Sequence, residues 1–235
     1  MLKSRPALII GLGGTGQWVL TYIKRDLQEA YGRVPPNVRF LCFDTEVEPT
    51  ARADGGVGDS DLVPPLVGIG EEVPREQYEE LFGKVSLSKG EYKHLGANVR
   101  SYVQAIAQRA HPHVGTWFPA QWFLENQPGA VLSLKEGAAA WRQFGRLAVF
   151  YDVRNPGSSK ILQEIRRAMQ QVQKAGSDSG ATQGSLEVFI ICSLVGGTGA
   201  GMAVDIANLI KSDERFAASG RDLVLRGFFV LPRAF

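Results

Sequence analysis

Cysteine and histidine are scarce in this chain, which contains two cysteines and three histidines among its 235 residues. Cys42 and Cys192 both fall within apolar runs typical of buried strands, so we expect two free core thiols and a reducing compartment. The histidines, at positions 94, 111 and 113, do not have the spacing of a zinc site. These shortages argue against a disulfide-rich secreted fold and against a zinc-binding module.

The chain also lacks a large excess of either charge, and it has no long hydrophobic run. Its formal net charge is +2, which gives no reason to expect nucleic acid or an anionic membrane as a partner. The longest apolar runs, such as residues 188–192, are much too short to span a bilayer. The apolar run near the N-terminus stops at Gly11, which is too early for a signal peptide. We therefore expect a cytoplasmic protein that does not insert directly into membranes.

Apolar runs alternate with helical patterns along most of the chain, and this alternation is typical of an α/β fold. We predict a Rossmann-like, mostly parallel sheet flanked by helices. The predicted strands cover residues 7–10, 38–43, 131–134, 186–194 and 223–231. The predicted helices cover residues 18–30, 96–109, 142–151, 159–174 and 202–210, with a short helical piece near 75–82. An aromatic-rich stretch at residues 117–123 is predicted to cap the core.

Two segments share one design: an apolar strand, a cluster of glycines with a threonine, and then a helix. Residues 11–16 (Gly-Leu-Gly-Gly-Thr-Gly) form the first glycine loop, and residues 196–201 (Gly-Gly-Thr-Gly-Ala-Gly) form the second glycine loop. Because glycine has no Cβ, backbone N–H groups can approach a ligand closely, and a helix N-terminus adds unpaired donors that suit phosphate. In a parallel sheet both loops leave the carboxyl ends of strands, so they can converge on one di- or triphosphate. Neither loop continues into the Gly-Lys-Ser/Thr of a P-loop, so backbone amides and the hydroxyls of Thr15 and Thr198 would hold the phosphates.

Two other classes of nucleotide-binding enzyme also use a turn like the first glycine loop. The first glycine loop fits the G-x-G-x-x-G pattern of NAD(P)-binding Rossmann oxidoreductases, which expects an acidic residue about 20 residues further on. Asp44 lies beyond that distance, and this interpretation leaves the second glycine loop unexplained. An adenylating enzyme of the ubiquitin-activating type uses a similar turn, but such enzymes often add a zinc cluster of paired cysteines. Both classes stay open as alternatives.

The second glycine loop, followed by Met202, resembles the tubulin signature loop and the corresponding loop of FtsZ, with Val195 where those proteins have one more glycine. Residues 11–17 resemble the FtsZ glycine loop, and residues 43–45 are placed like the FtsZ loop that follows its second strand. The 137–146 segment (Gly-Ala-Ala-Ala-Trp-Arg-Gln-Phe-Gly-Arg) is similar to the γ-phosphate-sensing loop of FtsZ and the helix behind it, and residues 96–98 are a rival placement for that loop. The Gly-Ala…Arg-x-x-Gly-Arg pattern is most similar to bacterial tubulin-like proteins within the tubulin/FtsZ superfamily.

The resemblance implies a guanine-nucleotide-binding protein that holds GTP or GDP, with Mg²⁺, and self-assembles into filaments or oligomers through its nucleotide face. It also implies that a neighbouring subunit completes GTP hydrolysis. In the superfamily the central helix, the catalytic acidic loop and the second domain follow the part that this chain resembles. We therefore expect residues 1–235 to be one nucleotide-binding domain that is incomplete at its C-terminus, with an insertion at about residues 50–130. Such a chain should bind nucleotide and, alone, hydrolyse it slowly or not at all.

The resemblance also assigns candidate nucleotide-binding residues, and it assigns no catalytic or metal-ligating residue within this chain. The first loop should contact the α- and β-phosphates, the second the β-phosphate region, and the 137–146 segment the γ-phosphate. The residue that ends the second strand should contact ribose or a magnesium-bound water. The full set comprises Gly11, Gly13, Gly14, Thr15, Gly16, Gln17, Asp44, Thr45, Ala138, Ala139, Ala140, Arg142, Gly196, Gly197, Thr198, Gly199 and Ala200.

Overall fold

The computed structural model describes residues 5–46, 86–95, 99–126, 138, 141–178, 185–214 and 222–231. The helical piece predicted near residues 75–82 and the strand predicted at 131–134 lie outside these ranges. So does the 96–98 segment. No helix among the described residues is both long and apolar enough to cross a membrane.

The described strands form one parallel sheet of five, in the order β3-β2-β1-β4-β5. The sheet and its flanking helices confirm the predicted Rossmann-like α/β class. Four strands were predicted from continuous apolar runs, which is the pattern of strands buried on both faces. The five strands are β1 (Ala7–Leu12), β2 (Val38–Asp44), β3 (Tyr92–His94), β4 (Leu186–Ser193) and β5 (Leu223–Val230). The edge strand β3 was not predicted.

Seven described helices connect and cover the strands. They are α1 (Gly13–Tyr31), α2 (Arg100–Ala107), α3 (Pro112–Gly115), α4 (Ala120–Asn126), α5 (Arg142–Val153), α6 (Lys160–Asp178) and α7 (Gly197–Ser212). Helix α1 begins earlier than predicted, because residues 13–16 of the first glycine loop already form its first turn. The start of α6 is as predicted: the backbone N–H of Leu162 donates to Ser159 Oγ at 3.2 Å. Asp152, at the end of α5, accepts the N–H groups of Lys160 and Ile161 at 3.0 Å each. Four of these helices (α1, α5, α6 and α7) are long enough to lie along the sheet.

The core is divided by the sheet into two apolar layers. On one face, α1 covers residues of the central strands, including Ile9, Phe40 and Ile191. The opposite face carries the larger layer, in which α2 to α7 pack over alternate residues of the same strands. The aromatic stretch caps this layer, as predicted: Phe118 and Phe123 are buried and stack with ring centroids 5.0 Å apart.

Candidate functional site

The two glycine loops meet at the carboxyl edge of the sheet. Strands β1 and β4 are neighbours, with Leu12 opposite Cys192, so the turns that follow them leave from adjacent strand ends. A Cβ added to Gly13 would lie 3.1 Å from the backbone N of Gly199, and a Cβ added to Gly199 would lie 2.6 Å from Leu12 O. Helices α1 and α7 begin at Gly13 and Gly197. Two helix N-termini, with their unpaired N–H groups, are therefore brought to one place.

Close packing accounts for several glycines of the first glycine loop. Added Cβ atoms on Gly11 and Gly16 would lie 2.7 Å from Gly16 O and from Ile191 O respectively, so the start of α1 rests directly on β1 and β4. Gly13 has φ +70°, a backbone conformation that a residue with a Cβ rarely adopts. Gly14 and Thr15 are half-buried and form the part of this turn that stays accessible.

In the second glycine loop, packing explains some glycines and leaves another unexplained. A Cβ on Gly199 would lie 2.8 Å from Cys192 Cβ, and one on Gly201 would lie 2.8 Å from the backbone N of Arg146. Gly197 is buried, and Ala200 is half-buried. Gly196 is different, because it is exposed and, in the part of the chain that the structure describes, no atom lies within 4 Å of an added Cβ. It is the N-cap of α7, with φ −73° and ψ 159°. The open space over this N-terminus is where an anion could be held.

A pair of threonines joins the end of β2 to the second glycine loop. The hydroxyls of Thr45 and Thr198 are 2.8 Å apart, and both side chains are buried. Thr198 was predicted to contact phosphate; in the structure its hydroxyl bonds Thr45, and a hydroxyl retains capacity for another bond. His94 Nε2 lies 3.1 Å from Thr45 O, so the edge strand β3 also holds this turn. No sequence pattern marks His94, because a short edge strand carries no apolar run.

Asp44, at the end of β2, is a buried carboxyl whose two oxygens differ in their hydrogen bonds. Oδ1 accepts the backbone N–H of Thr45 at 2.7 Å and that of Glu46 at 3.4 Å. Oδ2 is buried and has no hydrogen-bond partner among the residues that the structure describes. Burial raises the pKa of Asp44 to about 6, against the smaller lowering effects of the two N–H groups and of the nearby Thr198 hydroxyl. A buried polar oxygen without a partner at a strand end is a candidate ligand contact.

We expect Asp44→Asn to stabilise the folded protein at neutral and alkaline pH. The folded-state pKa of about 6 exceeds the ordinary 3.8, so the native state holds the proton more tightly than the unfolded state. The stabilisation from this group is therefore complete below pH 3.8 and is lost as the pH rises through 6. Urea unfolding should show a gain of about 1–2 kcal/mol for the asparagine variant at pH 8, and a smaller gain at pH 5.

The matched control for this prediction is Asp26→Asn, which changes an exposed carboxylate on α1. It should show no gain that grows with pH. If Asp44→Asn destabilised the protein equally at both pH values, the folded protein would not disfavour the ionised form of Asp44, contrary to what its burial indicates.

Within the 137–146 segment the structure describes Ala138 and residues 141–146, and the start of α5 contacts the second glycine loop. Ala138 is buried, and its carbonyl accepts the N–H of Trp141 at 3.0 Å. Arg142 is exposed, and its Nη2 donates to Leu194 O at 2.7 Å, just before the second glycine loop. A Cβ added to Gly145 would lie 2.7 Å from Thr198 O, so α5 touches this loop directly. Ala139 and Ala140 lie outside the described residues.

Gln17 and the 96–98 segment are the remaining candidates for contact with the nucleotide. Gln17 begins the second turn of α1 and its side chain is fully buried, so it lies beneath the first glycine loop and not on its surface. The rival segment at 96–98 is not described, although the N–H of the preceding Leu95 donates to Asp44 O at 2.7 Å. Leu95, which adjoins one candidate γ-phosphate segment, and Arg142, which belongs to the other, therefore both bond to residues at the carboxyl ends of strands. Among the described residues, no group of three or more His, Cys, Asp or Glu side chains could hold a metal ion.

Comparison with known proteins identifies the family of the chain. A family model described as "Tubulin like" matches residues 8–235. No curated protein matches the chain, and no solved structure matches it. The family match spans both glycine loops, the end of β2 and the 137–146 segment, which are the parts that meet at the carboxyl edge. The chain therefore belongs to the tubulin-like family.

Proposed function

We propose that this protein binds a guanine nucleotide at the carboxyl edge of its sheet and assembles with copies of itself in a nucleotide-dependent way. The observation that carries the proposal is the contact between the two glycine loops, with open space above Gly196 at the N-terminus of α7. Two adjoining helix N-termini suit a ligand with more than one phosphate. Membership of the tubulin-like family supports guanine as the base and self-association as the outcome.

The phosphates would be held mainly by the backbone. The accessible N–H groups at Gly14 and Thr15 face the α- and β-phosphates in this proposal, and those at Gly196 and Gly197 face the β-phosphate region. Arg142 is exposed at the start of α5 and can exchange its bond to Leu194 O for a charge-assisted bond to a γ-phosphate. No lysine is needed, because helix N-termini already provide partial positive charge.

Magnesium fits this arrangement as a companion of the nucleotide. Mg²⁺ keeps several waters and is usually bound through phosphates with one or two carboxylates, so a cluster of three protein ligands is not required. Oδ2 of Asp44, which has no hydrogen-bond partner among the described residues, can accept a hydrogen bond from a magnesium-bound water or from a ribose hydroxyl. When bound, the metal would neutralise part of the phosphate charge.

The nucleotide face is also the proposed subunit interface. Phosphates held at the carboxyl edge lie at the surface of the domain, where a second subunit can cover them. We propose that residues of that second subunit complete hydrolysis, as the family resemblance implies. Where the covering subunit carries the catalytic acidic loop of the superfamily, hydrolysis per subunit should therefore rise with protein concentration. Nucleotide affinity should rise with it, because nucleotide-dependent assembly is thermodynamically linked to nucleotide binding.

The proposal is tested by the nucleotide that the protein carries and prefers. Purified protein should release guanine nucleotide on denaturation, and calorimetry with Mg²⁺ should give GTP and GDP affinities at least about tenfold above those for ATP. Light scattering should increase with GTP and less with GDP. Tight binding of NAD, or a preference for ATP, would contradict the proposal and favour an oxidoreductase or an adenylating enzyme.

A further inference from the structure

Helices α5 and α7 are packed backbone to backbone along a seam of glycines. A Cβ added to Gly201 would lie 2.8 Å from the backbone N of Arg146 and closer still to Arg142 O. One added to Gly145 would lie 2.7 Å from Thr198 O and closer to Gly197 O. At Gly145 and Gly201 the backbones of the two helices therefore meet with no room for a side chain. A displacement of α5 cannot be absorbed by a rotamer change and must move the second glycine loop.

Next to these glycines, Arg146 of α5 forms an ion pair with α7. Its Nε and Nη2 lie 3.0 Å and 3.4 Å from the two carboxylate oxygens of Asp205 on α7. Its guanidinium carbon lies 4.5 Å from the ring centroid of Trp117 and 5.3 Å from that of Phe150. A forked pair combined with ring stacking fixes the planar guanidinium in one orientation. Arg146 is therefore bonded to α7 while it packs against the aromatic cap.

We propose that Arg146 is a positioning residue that joins α5 to α7, so that the first turn of α5, which carries Arg142, and the second glycine loop respond to a ligand as one unit. The inference rests on the proposed nucleotide site and extends it to the discrimination between triphosphate and diphosphate. Arg142 lies one helical turn before Arg146 and is the side chain proposed to meet a γ-phosphate. A bond between a γ-phosphate and Arg142 would shift α5. Because α5 and α7 are joined, the shift would also displace the second glycine loop at the β-phosphate.

The test compares Arg146→Gln with Arg166→Gln. Arg166 forms a similar partly buried pair, with Asp213 at 2.7 Å, but at the far end of α7 from the phosphates. Calorimetry on the whole protein would measure the affinity ratio of a non-hydrolysable GTP analogue to GDP. Arg146→Gln should change this ratio by at least about fivefold, whereas Arg166→Gln should leave it unchanged even if the thermal midpoints fall equally.

Asp205→Asn supplies a second route to the same result. Because it removes the other half of the pair, it should reproduce the altered ratio, and the double variant should add little to either single change. If Arg146→Gln unfolds the protein, Asp205→Asn alone decides. An unchanged ratio in a folded Asp205→Asn variant, or an equal change in Arg166→Gln, would overturn the inference.

Hydrogen exchange without any ligand separates this inference from the proposed function. In Arg146→Gln or Asp205→Asn, amides in the first two turns of α5 and of α7 should exchange at least about tenfold faster, and by similar factors. Arg166→Gln should not change them. If the wild type bound no nucleotide, the proposed function would fail, and the ratio measurement with it. The exchange data would still decide whether Arg146 joins the two helices, and unchanged exchange would refute that.

Discussion

Gly196→Val should abolish nucleotide binding while leaving the fold intact. The residue is exposed, its backbone is extended, and among the described residues no atom lies within 4 Å of an added Cβ, so valine meets no steric obstacle from them. Its methyl groups would instead fill the open space at the N-terminus of α7, where we place a phosphate. The affinity for GTP measured by calorimetry should fall by about 100-fold or more. The thermal midpoint should fall only slightly, because valine is a poorer N-cap than glycine.

The matched control is Gly157→Val, in the connection between α5 and α6. An added Cβ at Gly157 also meets nothing within 4 Å, but the residue is not part of either glycine loop. This variant should bind GTP like the wild type. A folded Gly196→Val protein with wild-type affinity would show that the space above α7 is not the phosphate site.

Gly196 is a sharper probe than its neighbour Gly197, although the sequence alone does not separate them. Gly197 is buried, and its carbonyl packs against Gly145 of α5. A substitution there would disturb the helix seam, so a loss of binding would not distinguish a blocked ligand site from a damaged fold. At Gly196 only the ligand competes with the new side chain.

The sequence predicts most of the sheet because buried parallel strands are continuous apolar runs. The predicted and observed ends of β1, β2, β4 and β5 differ by at most two residues. Strand β3 escaped prediction because Tyr92–His94 is three half-buried residues long and has a lysine at its centre. Lys93 nevertheless lies in the sheet edge, where its Nζ pairs with Glu164 at 3.1 Å. Such a strand is defined by its partner β2 and not by its own composition.

The glycine loops illustrate a second limit of sequence reasoning. A cluster of glycines predicts close backbone approach, but the sequence does not say what approaches. In the structure, Gly199 meets Leu12 and Gly201 meets α5, whereas Gly196 meets nothing within 4 Å. The approaching backbone lies more than 50 residues away in the chain, so only the fold separates packing glycines from those that leave room for a ligand.

Long-range polar contacts likewise could not be predicted from a single sequence. The resemblance to FtsZ marks Asp44 and Thr45 as nucleotide contacts, and in the structure the Thr45 hydroxyl bonds Thr198 of the second glycine loop. The bond from Thr45 to Thr198 spans 153 positions in the chain, and the pair of Arg146 with Asp205 spans 59. No local pattern marks either pair, because each depends on which strands and helices become neighbours.

The glycine seam leads to the largest expected change in stability, that of Gly145→Ala. The new methyl group would lie 2.7 Å from Thr198 O and closer to Gly197 O, and both obstacles are backbone atoms of a buried turn. Neither can move away by changing rotamer, so α5 must separate from the second glycine loop. We expect a loss of about 3 kcal/mol or more in the free energy of unfolding, measured by urea denaturation.

Gly115→Ala is the control, since it makes the same chemical change in a helix with space around it. An added Cβ at Gly115 has its nearest neighbour, Ile106 Cγ2, at 4.0 Å, which is an ordinary contact. This variant should be unchanged or more stable by about 0.5–1 kcal/mol, because alanine restricts the unfolded chain. If Gly145→Ala were as stable as Gly115→Ala, α5 could withdraw from the second glycine loop without cost. The two helices would then be independent, and a γ-phosphate contact at Arg142 would have no mechanical route to the β-phosphate.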